Sequence, residues 1–224
     1  MVNLILIPIG SFEQHGPHLP LDTDYLIACS LVNKMKLIFG GKVIQGIKIG
    51  ISPEHFSFRK TKSISEEVFI TQIEDILRKF HKYSKLVFIN AHGGNVRALN
   101  SIQIKHRKKI LVINTFSIIK EDLLRFRTSK IGGICHAGEY ETSLMLYLFP
   151  KKVKLNLLNE KSVKYVPSLD PNYMNAKLKN WNANDYSASG ILGDPYHATP
   201  EKGRKWFISL IKNSKNLIDK FLLR

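Results

Sequence analysis

Between Gly10 and Asp24 the chain carries Glu13, His15, His18, Asp22 and Asp24 in one short stretch, Gly-Ser-Phe-Glu-Gln-His-Gly-Pro-His-Leu-Pro-Leu-Asp-Thr-Asp. Carboxylates and imidazoles at this density are the oxygen and nitrogen donors that hold a divalent cation. A plain turn set by Gly16, Pro17 and Pro20, with its polar side chains in water, is the alternative. Against it, the same chemistry recurs at the ends of two later apolar segments. Lys85 to Asn90 runs into Ala91-His92-Gly93-Gly94-Asn95, and the segment from Ile131 to Ser143 brings His136, Glu139 and Glu141. Three separate segments can therefore converge on one site. Its donors include no thiolate, which suits zinc, manganese, iron or cobalt and argues against a structural zinc knuckle. They are too many for one catalytic ion with an open position and suit two ions sharing a bridging carboxylate. Such a pair lowers the pKa of a shared water and polarises a scissile carbonyl, so the protein need add only a proton donor for the leaving nitrogen. His136 is the candidate for that role.

Donors meet only if the chain delivers them to one place. Apolar runs at Leu4 to Ile9, Val43 to Ile49, Leu86 to Asn90 and Ile110 to Asn114 alternate with segments of helical period. This alternation predicts an α/β fold with a parallel sheet covered on both faces. Ligands of such sheets bind at the carboxyl ends of the strands, where the donor-rich loops begin. Helices are expected from Thr23 to Ile38, from Ser65 to Tyr83, from Val96 to Arg107 and from Glu139 to Leu148. A long irregular excursion from Lys151 to Tyr196 follows, and then a last helix with Thr199 as N-cap and Pro200 in its first turn. The stripe Trp206, Phe207, Leu210, Ile211, Leu217, Ile218 and Phe221 of that helix is expected to be core.

The 224 residues are 44% hydrophobic, enough for one well-buried core, so a single domain spanning residues 1–224 is expected. Met1 to Ile9 is too short for a secretory apolar region, and no apolar stretch reaches the length of a membrane span, which predicts a cytoplasmic protein without membrane contact. Cys29 and Cys135 lack metal-type spacing and are expected to be reduced, buried thiols. A formal net charge of +16 raises the alternative of a basic nucleic-acid-binding domain with a vestigial metal site. The basic residues are scattered with no run interleaved with aromatics, so no nucleic-acid partner is expected and a solvated lysine-rich surface is the preferred account.

Taken together, Pro8 to Pro20, the Thr23-Asp24 pair, Asn90 to Asn95, His136-Ala137-Gly138-Glu139 with Glu141-Thr142-Ser143, and Gly193-Asp194-Pro195 followed by Glu201-Lys202-Gly203 resemble the creatininase superfamily, in the family's order and over nearly the whole chain. The resemblance implies a three-layer α/β/α sandwich with a mostly parallel central sheet and two divalent metal ions per subunit (zinc, manganese or iron). It also implies hydrolysis of carbon–nitrogen bonds in a small-molecule amide, other than ordinary peptide bonds, and a homo-oligomer, usually a hexamer. By the same resemblance Glu13 and His92 hold one metal, His15 the other, Asp24 bridges them and His136 shuttles the proton. His18 is expected to serve the loop through hydrogen bonds and Asp22 to be a turn residue. His55, His81, His106 and His197 carry no metal case, although His55 lies in a segment that can line the pocket.

Two departures from creatininase proper count against creatinine as the substrate. Its metal-binding glutamate is replaced by Gly94, and the tryptophans it uses ahead of the His-Ala-Gly segment have no match, since the tryptophans here are Trp181 and Trp206. The wider family includes a precursor-peptide peptidase, whose first loop is the closer match, and a deformylase of a formylamino-pyrimidine ribosyl phosphate, which stands as the alternative activity. Because about three protein donors are typical of a catalytic ion, something must replace the missing carboxylate. Glu139, at a helix start beside Gly138, is the expected replacement, with Glu141 as the other candidate; the plainer role for Glu139 is to favour the helix amino terminus. Where related proteins have Pro-Gly-Thr after Glu54-His55, this chain has Arg59-Lys60-Thr61-Lys62. Arg59 and Lys60 are therefore expected to hold a phosphate or carboxylate of the substrate, a solvated loop being the alternative.

Overall fold

The computed structural model describes residues 3–80, 84–170 and 182–223. The expected end of the second helix at Tyr83, together with His81 and Trp181, lies outside the described residues.

Strand β1 (Asn3–Ile9) sits between β2 (Lys42–Val43) and β3 (Ser84–Asn90), β4 (Ile110–Asn114) lies beyond β3, and all pairs are parallel. Successive side chains of a strand point to opposite faces, and here both faces are covered. Leu4 and Leu6 of β1 pack with Val87, Ile89 and Ile113 under α1 (Thr23–Phe39), while Ile5, Ile7 and Ile9 pack with Leu86 and Phe88 under α2 (Glu66–Phe80) and α3 (Val96–Lys105). That two-sided burial is why β1 and β3 are continuous apolar runs rather than alternating ones. After β4 come α4 (Thr115–Ile118) and α5 (Lys120–Phe126), which the sequence reading missed because segments this short show no helical period. Two longer helices, α6 (Glu139–Leu148) and α8 (Pro200–Leu222), complete the α1 face. The short α7 (Ala183–Tyr186) and several single 3₁₀ turns occupy the described part of the excursion between them. Thr199 caps α8, its hydroxyl accepting the Lys202 amide at 3.2 Å, and Trp206 is fully buried with its indole N–H donating to the Asp122 carbonyl.

The second strand differs from the expected Val43 to Ile49. Only Lys42 and Val43 form a ladder, with one further bridge between Ile9 and Ile47. Pro8 is the cause. The backbone of Leu6, Pro8 and Gly10 faces this edge, Leu6 accepting from Ile44, Pro8 accepting from Ile47, and Gly10 donating to Ile47. Pro8 has no N–H to return, so the ladder is interrupted there.

In register, β1, β3 and β4 end together at Ile9, Asn90 and Asn114. That common edge is the floor of the candidate site. Among the described residues no helix is long and apolar enough to cross a membrane.

Candidate metal centre

The loop after β1 carries Glu13 and His15, and Asp24 follows as the second residue of α1. Gly10 lets α1 come that close: a Cβ there would collide with the backbone of Tyr25 and Asp24. His92 follows β3, His136 stands in the loop before α6, and Glu141 is the third residue of that helix. Asn95 ties these loops together, its buried amide donating to the Gly10 carbonyl at 2.9 Å and accepting from the Ile51 N–H at 3.0 Å.

Asp24 is the hub. Its Oδ1 lies 3.2 Å from His15 Nε2 and its Oδ2 lies 3.1 Å from His92 Nδ1, so one carboxylate faces two different histidines through its two oxygens. On the first side Glu141 Oε2 stands 3.7 Å from His15 Nε2; on the second, Glu13 Oε1 stands 3.4 Å from His92 Nδ1. Glu13, Asp24 and His92 offer ligand atoms within 4.8 Å of one another, as do His15, His136 and Glu141.

The outward nitrogens fix which ring atoms face the cluster. His92 Nε2 is 2.9 Å from the Ile51 carbonyl and His15 Nδ1 is 3.1 Å from the Glu13 carbonyl, so each donates one N–H to backbone and turns its other nitrogen to Asp24, a nitrogen that donates to the carboxylate while the ring is protonated and is free to ligate when a metal takes that proton's place. Such outer hydrogen bonds are how metal-binding histidines are held in one tautomer. His136 follows the same pattern, with Nε2 2.8 Å from the Gln14 carbonyl and Nδ1 3.6 Å from Glu13 Oε1.

The electrostatics fit a cationic guest. Burial pushes the Glu13 and Glu141 carboxyls up to about 7, against the pull of His92 and of His15 respectively. Burial by itself would lower the two histidines, yet Asp24 and Glu141 beside His15, and Glu13 and Asp24 beside His92, carry both to about 10. Asp24, although buried, is held far below the usual carboxylate range by His15 and His92. Two buried carboxylates and the largely buried Glu141 thus concentrate negative charge that protons or metal cations must balance. Glu13 Oε2, moreover, is a buried oxygen with no hydrogen-bond partner among the described residues. The donor set of nitrogen and oxygen without sulfur, arranged on both sides of one carboxylate, fits a pair of divalent ions.

Glu139, expected to complete the second site, is corrected by the structure. Its buried carboxylate accepts the backbone N–H groups of Thr128 and Ser129, each at 3.0 Å, and the ammonium of Lys202 from α8. Glu141 is the carboxylate that reaches His15, and it also accepts the Ala137 N–H at 2.6 Å. Gly94 could not regain the missing glutamate, because a Cβ there would collide with the Ile51 carbonyl. Glu139→Gln is therefore expected to leave metal content unchanged and to cost stability on the order of 1–3 kcal/mol, since it removes the counter-charge of the part-buried Lys202 ammonium and weakens the acceptor of two backbone N–H groups. Urea unfolding alongside metal analysis checks both halves.

Arg59 and Lys60 are exposed and do not line the cavity that contains the cluster, so the structure does not bring them to the site. His55, given no metal case, does enter it. Its Nε2 is 3.5 Å from Glu13 Oε1 and its ring lies 4.4 Å from that of His136. Because Nδ1 accepts from the Gln14 amide at 2.9 Å, Nε2 carries the proton, which makes His55 a donor that steadies Glu13. The one signal for it in the sequence was its place just past the second apolar run. His18 sits with Nε2 2.8 Å from the Thr142 hydroxyl, in the hydrogen-bonding role expected of it, and Asp22 pairs with Lys48 at the surface. Cys135 is buried and Cys29 half-buried, and both are free thiols.

The cluster opens into a cavity of about 470 Å³ walled by Phe116, Tyr140, Val96 and Leu169 with Asn114 and Glu54 among its polar residues. Its volume is that of a small-molecule or short-peptide site.

Residues 2–218 match the creatininase family, described as creatinine amidohydrolase. The mycofactocin precursor peptide peptidase of Mycobacterium ulcerans is 34% identical over 217 residues, covering 92% of this chain and 81% of that protein. The 2-amino-5-formylamino-6-ribosylaminopyrimidin-4(3H)-one 5'-monophosphate deformylase of Methanothermus fervidus is 28% identical over 207 residues, covering 89% and 77%. Among solved structures, a creatininase in its manganese form superposes with a TM-score of 0.81 at 22% identity, over 98% of this chain and 91% of that one, which shows the shared fold.

Proposed function

Because the chain belongs to the creatininase family, we propose that it hydrolyses a carbon–nitrogen amide bond at a two-metal centre bridged by Asp24. The observation that carries this reading is the division of Asp24, with Oδ1 toward His15 and Oδ2 toward His92. Glu13 and His92 Nδ1 would hold one ion with Asp24, and Glu141 and His15 Nε2 the other. Two divalent ions held there, zinc, manganese or iron, would supply an electrophile for the amide carbonyl and a water of lowered pKa.

The remaining work falls to the protein. Burial, reinforced by His55 and His15, keeps the His136 pKa well below the usual imidazole range, so the ring is neutral at physiological pH. With its Nε2–H committed to the Gln14 carbonyl, Nδ1 faces the cluster, accepts the proton of the attacking water and delivers it to the leaving nitrogen. His55 holds Glu13, and Gln14 holds both rings, its side-chain amide donating to His55 Nδ1 and its backbone carbonyl accepting from His136 Nε2.

The substrate is a small amide or a short peptide rather than a nucleic acid, and the deformylase alternative is disfavoured because no Lys or Arg is among the described residues lining the cavity, where a ribosyl phosphate would need one. A cytoplasmic homo-oligomer, of the hexameric kind the family resemblance implies, belongs to the same reading. Incubating metal-loaded protein with formamides, cyclic amides and short peptides, with products identified by mass spectrometry, tests the activity. Turnover of one class supports it, and no turnover of any class with both ions bound counts against it.

A further inference from the structure

The cavity has a charge character opposite to that of the chain. The protein carries 34 Lys and Arg against 18 Asp and Glu, yet the charged cavity residue outside the proposed metal and proton-transfer groups is an acid, Glu54. Glu54 is the middle residue of the 3₁₀ turn Pro53–His55, the turn that also places His55 against Glu13. Burial of His55 in the cluster thus fixes the position of its neighbour at the cavity wall. Among the described residues Glu54 makes no hydrogen bond and no ion pair, its one charged neighbour being His92 through space, whereas Glu13, Asp24 and Glu141 each lie within 4 Å of a histidine nitrogen of the cluster. A carboxylate at the wall of a small-molecule cavity, with no hydrogen-bond donor of its own among the described residues, is a receptor for a positively charged or strongly donating group. The aromatic part of the wall agrees: Phe116 and Tyr140, in an edge-to-face pair with centroids 5.3 Å apart, both line the cavity, and aromatic faces attract cations.

We propose that Glu54 determines specificity by pairing with a protonated nitrogen, an ammonium or guanidinium, carried by the amide substrate. The proposal deepens the hydrolase reading and rests on it for the position of the scissile bond. It also reverses the expectation, drawn from Arg59 and Lys60, that the substrate is anionic.

The test is binding to metal-loaded protein, measured by calorimetry and kept separate from turnover. The probes are ω-amino amides with one to four methylenes between nitrogen and carboxamide, the uncharged alkyl amides of the same length, and succinamate as the anionic counterpart. At the chain length that reaches Glu54, the ammonium probe is expected to bind at least about tenfold more tightly than its neutral counterpart and than succinamate. Glu54→Gln should abolish that preference, and Glu54→Lys should turn it toward succinamate. Equal affinity of charged and neutral probes for the wild-type protein at every length overturns the proposal without needing any variant, and so does a preference that survives in Glu54→Gln. Ammonium binding that depends on Glu54, in a protein that hydrolyses none of the amides, would uphold the charge preference and sink the catalytic reading.

Discussion

His92→Ala is expected to abolish turnover and to remove one metal equivalent while the far-UV circular dichroism stays that of the native protein. The imidazole is aimed by its own backbone contact, Nε2–H to the Ile51 carbonyl, so Nδ1 meets both Asp24 Oδ2 at 3.1 Å and Glu13 Oε1 at 3.4 Å. Ser52 Oγ, 3.2 Å from the ring, lies on the Nε2 side and does not replace that nitrogen. The fold should tolerate the loss because His92 stands past the end of β3 and belongs to neither apolar cluster flanking the sheet. Normal metal content with normal activity in His92→Ala would remove it from the centre.

The second large effect concerns His136. Its alanine variant is expected to bind both ions and to turn over about 100- to 10,000-fold more slowly, with little change in KM, which is the usual worth of a general acid–base. The geometry makes this a sharp test, because His136 also lies close enough to His15 and Glu141, and to Glu13 and His55, to serve as a ligand in either grouping. A proton-transfer group lost by mutation lowers kcat and leaves metal content alone; a ligand lost lowers both. Measuring metal and kcat on the same preparation separates the two, and loss of an ion would transfer His136 to the ligands.

Much of the frame was legible because it is local. The runs Leu4 to Ile9 and Leu86 to Asn90 announced strands buried on both faces, and Thr199-Pro200 announced the start of α8. The failures have non-local causes. A missing N–H at Pro8 shortens a strand more than thirty residues later, which the β-branched run after Lys42 does not reveal. At the site, the donor-rich loops identified Glu13, His15, Asp24 and His92 as candidates that the structure does bring together.

The choice between Glu139 and Glu141 was beyond the sequence for a geometric reason. Two residues apart on a helix are about 200° apart around its axis, so one carboxylate at most faces the cluster, and the phase depends on how the chain enters α6. Ala137 enters with φ at 53° and Gly138 follows extended, which turns Glu141 toward His15 and Glu139 toward Lys202, a partner 63 residues further along the chain. A residue other than glycine held at positive φ costs about 1–2 kcal/mol, and here that strain lies beside His136 at the site.

Metal counting on the wild-type protein and on Glu141→Gln, by plasma mass spectrometry after dialysis against metal-free buffer, tests the Asp24-bridged pair most directly. The account predicts two ions per chain in the wild type, and in the variant one ion, held by Glu13, Asp24 and His92, in a protein that remains folded. A single ion in the wild type, or two tightly held ions in Glu141→Gln, would contradict it.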